Sequence, residues 1–174
     1  MKNIKVLFCA ALFVFTFSNT NVYAQEPVSV DVTTIYLVRH TEKELNGEKN
    51  PNLTEQGKSR AEFWAKVLSK VDIDAVYSTD TIRTRDTAKP TASSKDKEVI
   101  IYDAREIDYS EFLKSNLNKT VFVVGHSNTT PGFVNALIGE DKYQDLDENN
   151  YSSFFIVDII GGQQSSKHLI INPF

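Results

Sequence analysis

The sequence predicts an α/β domain in which helices cover both faces of a mostly parallel sheet and one edge of the sheet is antiparallel. Two observations predict it. Along residues 33–138, runs rich in β-branched and aromatic residues alternate with segments of helical period; crossover helices of this kind bury a parallel sheet on both sides. The last two strand-like runs are joined by Gly161-Gly162, a two-residue turn suited to an antiparallel hairpin. A third observation says where chemistry belongs. Two of the three histidines, in Val38-Arg39-His40-Thr41-Glu42 and Gly125-His126-Ser127, stand where strand-like runs give way to loops. In open α/β sheets ligands bind at the carboxyl ends of the strands.

The elements follow in order. Thr33 to Val38 (TTIYLV) has no helical period and reads as a buried strand. Asn46 to Leu53 is a loop by composition. Thr54 caps a helix reaching to about Lys70, with Ala61, Trp64, Ala65 and Leu68 at i, i+3, i+4 and i+7. Ile73 to Tyr77 is a second strand. A helix from about Thr81 is expected to end or kink near Pro90. Glu98 to Tyr102 is a third strand, and Tyr109 to Asn116 a short helix. Thr120 to Val124 is a fourth strand. Ser127 or Asn128 can cap the next helix, which contains Pro131 to Ile138. Ser153 to Ile160 and His168 to Ile171 close the chain as the hairpin. Asp141 to Asn150 is an acidic, polar surface loop. No repeat, linker or low-complexity tract interrupts the pattern.

The first 24 residues read as a leader outside the fold. Lys2 and Lys5 precede an apolar stretch from Val6 to Phe17, and Val22-Tyr23-Ala24 offers a cleavage site before Gln25. This is the pattern of a secretory signal peptide, with an apolar core too short for a comfortable membrane span. Residues 25–174 then form one domain, expected to be periplasmic or secreted and without stable membrane insertion. Removing the leader leaves 17 basic residues against 23 acidic ones, a net charge of −6. An acidic exported domain is a poor nucleic-acid binder. The single cysteine, Cys9, lies in the leader, so the mature domain has no disulfide, no thiolate metal site and no cysteine nucleophile.

Four residue types in the remaining chain carry chemistry. A neutral imidazole is a nucleophile at physiological pH, and His40 stands beside Arg39, a planar cation matched to phosphate oxygens. Arg83 falls in the first turn of the helix after the second strand. A cation there works against the helix dipole unless it has an anion to meet. His126 follows Gly125 at a helix N-terminus, where N–H groups and a ring N–H can complement a phosphoryl oxygen. Breaking a phosphate ester also calls for an acid, and Glu106 and Asp108 after the third strand both stand at that end of the sheet. A metal is disfavoured: the two histidines lack local ligand spacing and the arginine repels a cation. His168 reads as an edge-strand histidine.

These residues carry a resemblance. LVRHTEK is similar to the LVRHGE or LVRHAEK signature of the histidine phosphatase superfamily, which includes the phosphoglycerate mutases. LTEQGKSRAEFWAKVL resembles its LTxxGxxQA helix, YSTDTIRTRDTA its YSSxLxRAxxTA segment, and VVGHSNTTPGFVNALIG its second-histidine motif. The resemblance implies a three-layer α/β/α sandwich. It implies His40 as the phosphorylated nucleophile, Arg39, Arg83 and His126 as the rest of the phosphate pocket, Glu106 as proton donor, and Asn46 near the phosphate. Two residues depart from the pattern. Thr41 replaces a glycine or alanine and is expected to narrow the pocket wall; Thr84 replaces a common alanine.

The expectation is an exported, metal-independent phosphatase without cofactor. It acts on a phosphorylated small molecule or a surface-glycan phosphate, through a phosphohistidine on His40. The alternatives are a phosphomutase of the same family and a non-catalytic module that binds phosphorylated ligands. The long insertions that cover the site in the mutases are lacking, which favours water as acceptor. Specificity is expected in the loops Thr41 to Pro51, Asp103 to Phe112 and Asp141 to Asn150.

Overall fold

The computed structural model describes residues 30–173; the leader read over residues 1–24 lies outside them. The elements are β1 (Val32–Arg39), α1 (Glu55–Val67), β2 (Ala75–Ser78), α2 (Ile82–Ser94), β3 (Val99–Ile101), α3 (Tyr109–Ser115), β4 (Thr120–Gly125), α4 (Thr129–Ile138), β5 (Ser153–Ile160) and β6 (Gln163–Ile170). They form one six-stranded sheet in the order β3-β2-β4-β1-β5-β6. The first four strands of the chain run parallel, while β5 is antiparallel to β1 and β6 to β5.

Alternation along the strands builds the two outer layers. Ile35, Leu37, Val121, Val123, Phe155 and Val157 pack with Phe112 of α3 and with Phe133, Val134 and Leu137 of α4. Val38, Val76, Phe122, Val124 and Phe154 face the other way and pack with Trp64 of α1 and with Ala88 and Ala92 of α2. Successive side chains of a strand point to opposite faces, so β1 and β4 supply both cores and the sheet is the middle of a three-layer sandwich.

Three elements differ from the sequence expectation. Helix α2 does not stop at Pro90 but continues to Ser94. Its buried face, Thr84, Thr87, Ala88, Thr91 and Ala92, extends beyond the proline, and packing there outweighs a penalty of about 3 kcal/mol for a proline in a helix interior. Strand β6 begins at Gln163, five residues before His168. Its first half, Gln163-Gln164-Ser165-Ser166-Lys167, is polar because it is an exposed edge, so hydrophobic pattern gives no sign of it. Gly161 and Gly162 take φ of 57° and 83°, the paired positive values of the tightest hairpin turns. Helix α4 is not capped by a side chain. The Asn128 side chain makes no capping hydrogen bond, and the Ser127 hydroxyl donates to Glu148 at 2.9 Å instead.

Candidate active site

Parallel pairing of β1 and β4 places Arg39 opposite Gly125, and the His40 amide donates to the Gly125 carbonyl at 2.9 Å. The next residues on the two strands are therefore neighbours: the rings of His40 and His126 lie 5.5 Å apart, edge to face. Both line a cavity of about 800 Å³ together with Arg39, Arg83, Lys43 and Glu148. Ser127 and Asn128, which lead into α4, and its first residue Thr129 also line it, which turns a helix N-terminus toward any bound anion.

His40 is 2% exposed. Its Nδ1 donates to the Thr41 carbonyl at 2.8 Å, because a carbonyl can only accept. The proton is thereby held on Nδ1, and Nε2 keeps the free electron pair. Burial lowers the pKa of His40 to about 3, with Arg39, Arg83 and His126 adding to the effect and the Thr41 bond opposing it. The ring is neutral at physiological pH. Its loop is clamped to α1: Thr54 donates through its amide to the Glu42 carbonyl at 2.9 Å, and the Glu42 carboxylate meets Arg60 at 2.8 Å. A Cβ at Gly57 would overlap the Glu42 carbonyl oxygen, so glycine is needed for this close approach. Thr41, expected on the pocket wall, turns away from it. Its hydroxyl donates to the Gly57 carbonyl at 2.8 Å, its amide to the Thr87 hydroxyl at 3.0 Å, and it is fully buried.

His126 is held from both sides. Nδ1 lies 3.4 Å from Nη2 of Arg83 and Nε2 lies 3.0 Å from the Thr79 hydroxyl. Burial lowers its pKa to about 4, reinforced by Arg83, Arg39 and Lys43. Nε and Nη1 of Arg83 are out of solvent and donate to no described residue, which suits an oxyanion in the cavity. Burial, followed by the charge of Arg39, lowers the Arg83 pKa, while Glu148 raises it.

Arg39 has a second task that its sequence position does not reveal. Nη1 donates to the carbonyls of Asp147, Glu148 and Asn150 at 2.8, 2.9 and 3.2 Å, Nη2 donates to the Glu148 carboxylate at 3.2 Å, and the guanidinium stacks on Tyr151. It pins the polar loop before β5 over the site. Glu148 comes with that loop: its carboxylate bridges Arg39 and the Ser127 hydroxyl, next to the two histidines in sequence. No motif marked it, since an acid in an acidic loop carries no periodic signal.

The structure brings together Arg39, His40, Arg83 and His126. Glu106 and Asn46 are not on the cavity wall. Glu106 is exposed in the turn after β3, and the Asn46 side chain is spent within its own loop on Glu44 and the Glu48 amide. Asp108 caps α3 by accepting from the Ser110 and Glu111 amides. His168 stacks on Phe155 at 4.2 Å and meets Ser153 at 2.9 Å, as an edge-strand histidine would.

A three-layer α/β sandwich with two neutral histidines and two arginines at the carboxyl ends of its parallel strands is built to handle an oxyanion. Residues 35–117 match the family model of branch 1 of the histidine phosphatase superfamily. Phosphoserine phosphatase 1 of Hydrogenobacter thermophilus is 40% identical over 82 residues, 43% of this chain and 39% of that relative. The chain thus matches about two fifths of that relative's length. Among solved structures, the phosphoserine phosphatase of Entamoeba histolytica with 3-phosphoglyceric acid has a TM-score of 0.63 at 20% identity, over 81% of this chain and 98% of that one. The protein histidine phosphatase SixA with tungstate has a TM-score of 0.62 at 16% identity, over 79% and 96%. These two share the fold.

The lowered histidine pKa values make stability depend on pH. The unfolded chain protonates His40 below its ordinary value of 6.5 while the folded chain resists to about 3. The unfolded state therefore binds more protons in that window, and stability falls as pH falls through it. For His40 the slope is about 1.4 kcal/mol per pH unit at its steepest. Urea denaturation between pH 7 and 4.5 checks this: His40→Gln is expected to be less pH-sensitive than the wild type, and identical slopes would refute the assignment.

Proposed function

We propose that the protein is an exported, metal-independent phosphatase that hydrolyses phosphomonoesters through a phosphohistidine on His40. The observation that carries this is the hydrogen bond from His40 Nδ1 to the Thr41 carbonyl, which leaves Nε2 as a neutral nucleophile among oxyanion-binding groups. Nε2 attacks phosphorus in line; the N–P bond forms as the P–O bond to the leaving group breaks, and the leaving oxygen takes its proton from solvent. Water then attacks phosphorus, breaks the N–P bond and releases phosphate. Arg83 and the first turn of α4 hold the non-bridging oxygens, and Arg39 adds its charge from the loop side. Arginines beside the histidines disfavour a metal cation, so the chemistry is assigned to protein groups alone. Relatives named for phosphoserine, among them the one from Hydrogenobacter thermophilus, support a phosphorylated small molecule as substrate.

In this reading Glu148, which lines the same cavity as His40, takes the proton of the attacking water. The Ser127 hydrogen bond, then Arg39 and Lys43, lower its pKa against the opposing effect of its slight burial. It is thus ionised at neutral pH, the form that can accept a proton. The sequence-based choice, Glu106, has no such position. The N-terminal leader supports export.

Three outcomes are expected. His40→Ala abolishes release of p-nitrophenol from p-nitrophenyl phosphate, whereas a chelator leaves the wild-type rate unchanged; full activity of His40→Ala, or loss with chelator, overturns the mechanism. Glu148→Gln lowers turnover about a hundredfold and accumulates acid-labile, alkali-stable phosphate on the protein, while Glu106→Gln loses less; the reverse order returns the role to Glu106. Protein recovered outside the cytoplasm begins at Gln25 on N-terminal sequencing, and a retained Met1 would argue against a cleaved leader.

A further inference from the structure

Helix α2 buries a face of threonines. Thr84, Thr87 and Thr91 are fully buried, at i, i+3 and i+7 along the helix, where aliphatic side chains would pack without a hydroxyl to satisfy. The hydroxyl of Thr87 has a task that packing does not explain. It donates to the Arg83 carbonyl, one turn back, at 2.7 Å, the back-bond open to a threonine inside a helix. A hydroxyl has one proton, so toward its other neighbours Thr87 can only accept. It accepts from the Thr41 amide at 3.0 Å, and the Thr41 hydroxyl lies 3.2 Å away.

Thr41 is the residue on which the His40 ring hangs. Its carbonyl accepts from Nδ1 of His40 at 2.8 Å. One end of Thr41 thus holds the imidazole, and the other end is tied to α2. Arg83 stands on α2 one turn before Thr87 and on the same face. A single oxygen atom therefore links the peptide between His40 and Thr41 to the peptide after Arg83, through two short bonds. A shift of α2 against the end of β1 has to break one of them. Breaking the bond to Thr41 leaves a buried N–H without a partner, since Thr41 is closed to solvent.

We propose that Thr87 is a positioning residue that sets the spacing between the His40 imidazole and the Arg83 guanidinium, and so fits the site to the five-coordinate transition state of phosphoryl transfer more than to bound phosphate. A free tetrahedral anion can settle in several ways in a cavity of about 800 Å³. Once Nε2 adds to phosphorus, the oxygens have one place each, and a donor held at a fixed distance from the nucleophile is worth most there. The catalytic meaning rests on the phosphatase reading; the spacing does not.

Thr87→Val keeps the shape of the side chain and removes the bridge. Its kcat for p-nitrophenyl phosphate is expected to fall about tenfold, with KM little changed. Calorimetry supplies a second readout. Vanadate, which becomes five-coordinate when a nucleophile adds to it, should lose affinity by a similar factor, while inorganic phosphate stays within about twofold. Thr87→Ser restores the oxygen and is expected to recover both kcat and vanadate binding. A merely structural role would lower the active fraction and leave both dissociation constants of the folded protein unchanged. Unchanged constants, equal loss of vanadate and phosphate binding, or a Thr87→Ser as impaired as Thr87→Val overturns the proposal. If Thr87→Val does not fold, Thr87→Ala is read in the same way. A wild type without turnover would sink the phosphatase reading, and the vanadate-to-phosphate ratio of wild type and variant would still decide the spacing.

Discussion

His40 and His126 meet because β1 and β4 pair in parallel and in register, with Arg39 opposite Gly125. The histidines lie 86 positions apart along the chain, yet each is the first residue beyond its strand, so one hydrogen-bonded ladder brings both to a common edge. The ladder itself is buried by α1 and α2 on one face and by α3 and α4 on the other. Slipping the register by one residue would send Val38 and Val124 to the wrong core and part the two rings together. Fold stability and site geometry thus rest on the same hydrophobic alternation.

Beyond the strands, the site is held by short polar bonds between neighbouring elements. Thr41 joins the His40 loop to α1 through Gly57 and to α2 through Thr87, and Thr87 donates back to the Arg83 carbonyl at 2.7 Å. The two threonines that depart from the family pattern, Thr41 and Thr84, both lie in this network and both are sealed from solvent. A buried hydroxyl without a partner is costly, whereas one that donates and accepts fixes the geometry of what it touches. These threonines replace the freedom of a small residue with directional bonds to the groups that carry each imidazole.

How much of this could be read from the chain follows from what kind of signal each part leaves. β1, β4 and β5 bury both faces and appear as apolar runs. β6 is an exposed edge, so Gln163 to Lys167 carry no apolar signal and only the second half of the strand is legible. Pro90 is a strong local breaker, but the apolar and threonine face of α2 on either side of it is a tertiary property. His40, His126, Arg39 and Arg83 announce themselves by standing at strand ends and helix starts. Glu148 does not, because its place depends on Arg39 gathering the carbonyls of Asp147, Glu148 and Asn150, a long-range contact with no local pattern. The place of Glu106 after β3 points to it as an acid, but the segment after that strand, which is only three residues long, delivers Asp103 and Arg105 to the cavity wall and not Glu106.

The charges around the histidines answer to opposing demands. The proposed mechanism needs an unprotonated imidazole at His40, and burial with Arg39 and Arg83 close by favours that form. The same cations would repel each other were nothing between them, and each lowers the proton affinity of its neighbours. Glu148 relieves this from the solvent side, where its side chain is 69% exposed while the Arg39 side chain it meets is 2% exposed. A fully buried carboxylate in that place would hold the arginine too tightly and raise the proton affinity of His40. An exposed one, screened by water, is weak enough to yield to a phosphate dipping into the cavity. In the proposed mechanism, the exposure of Glu148 is therefore a condition for Arg39 to serve both the loop and an incoming anion.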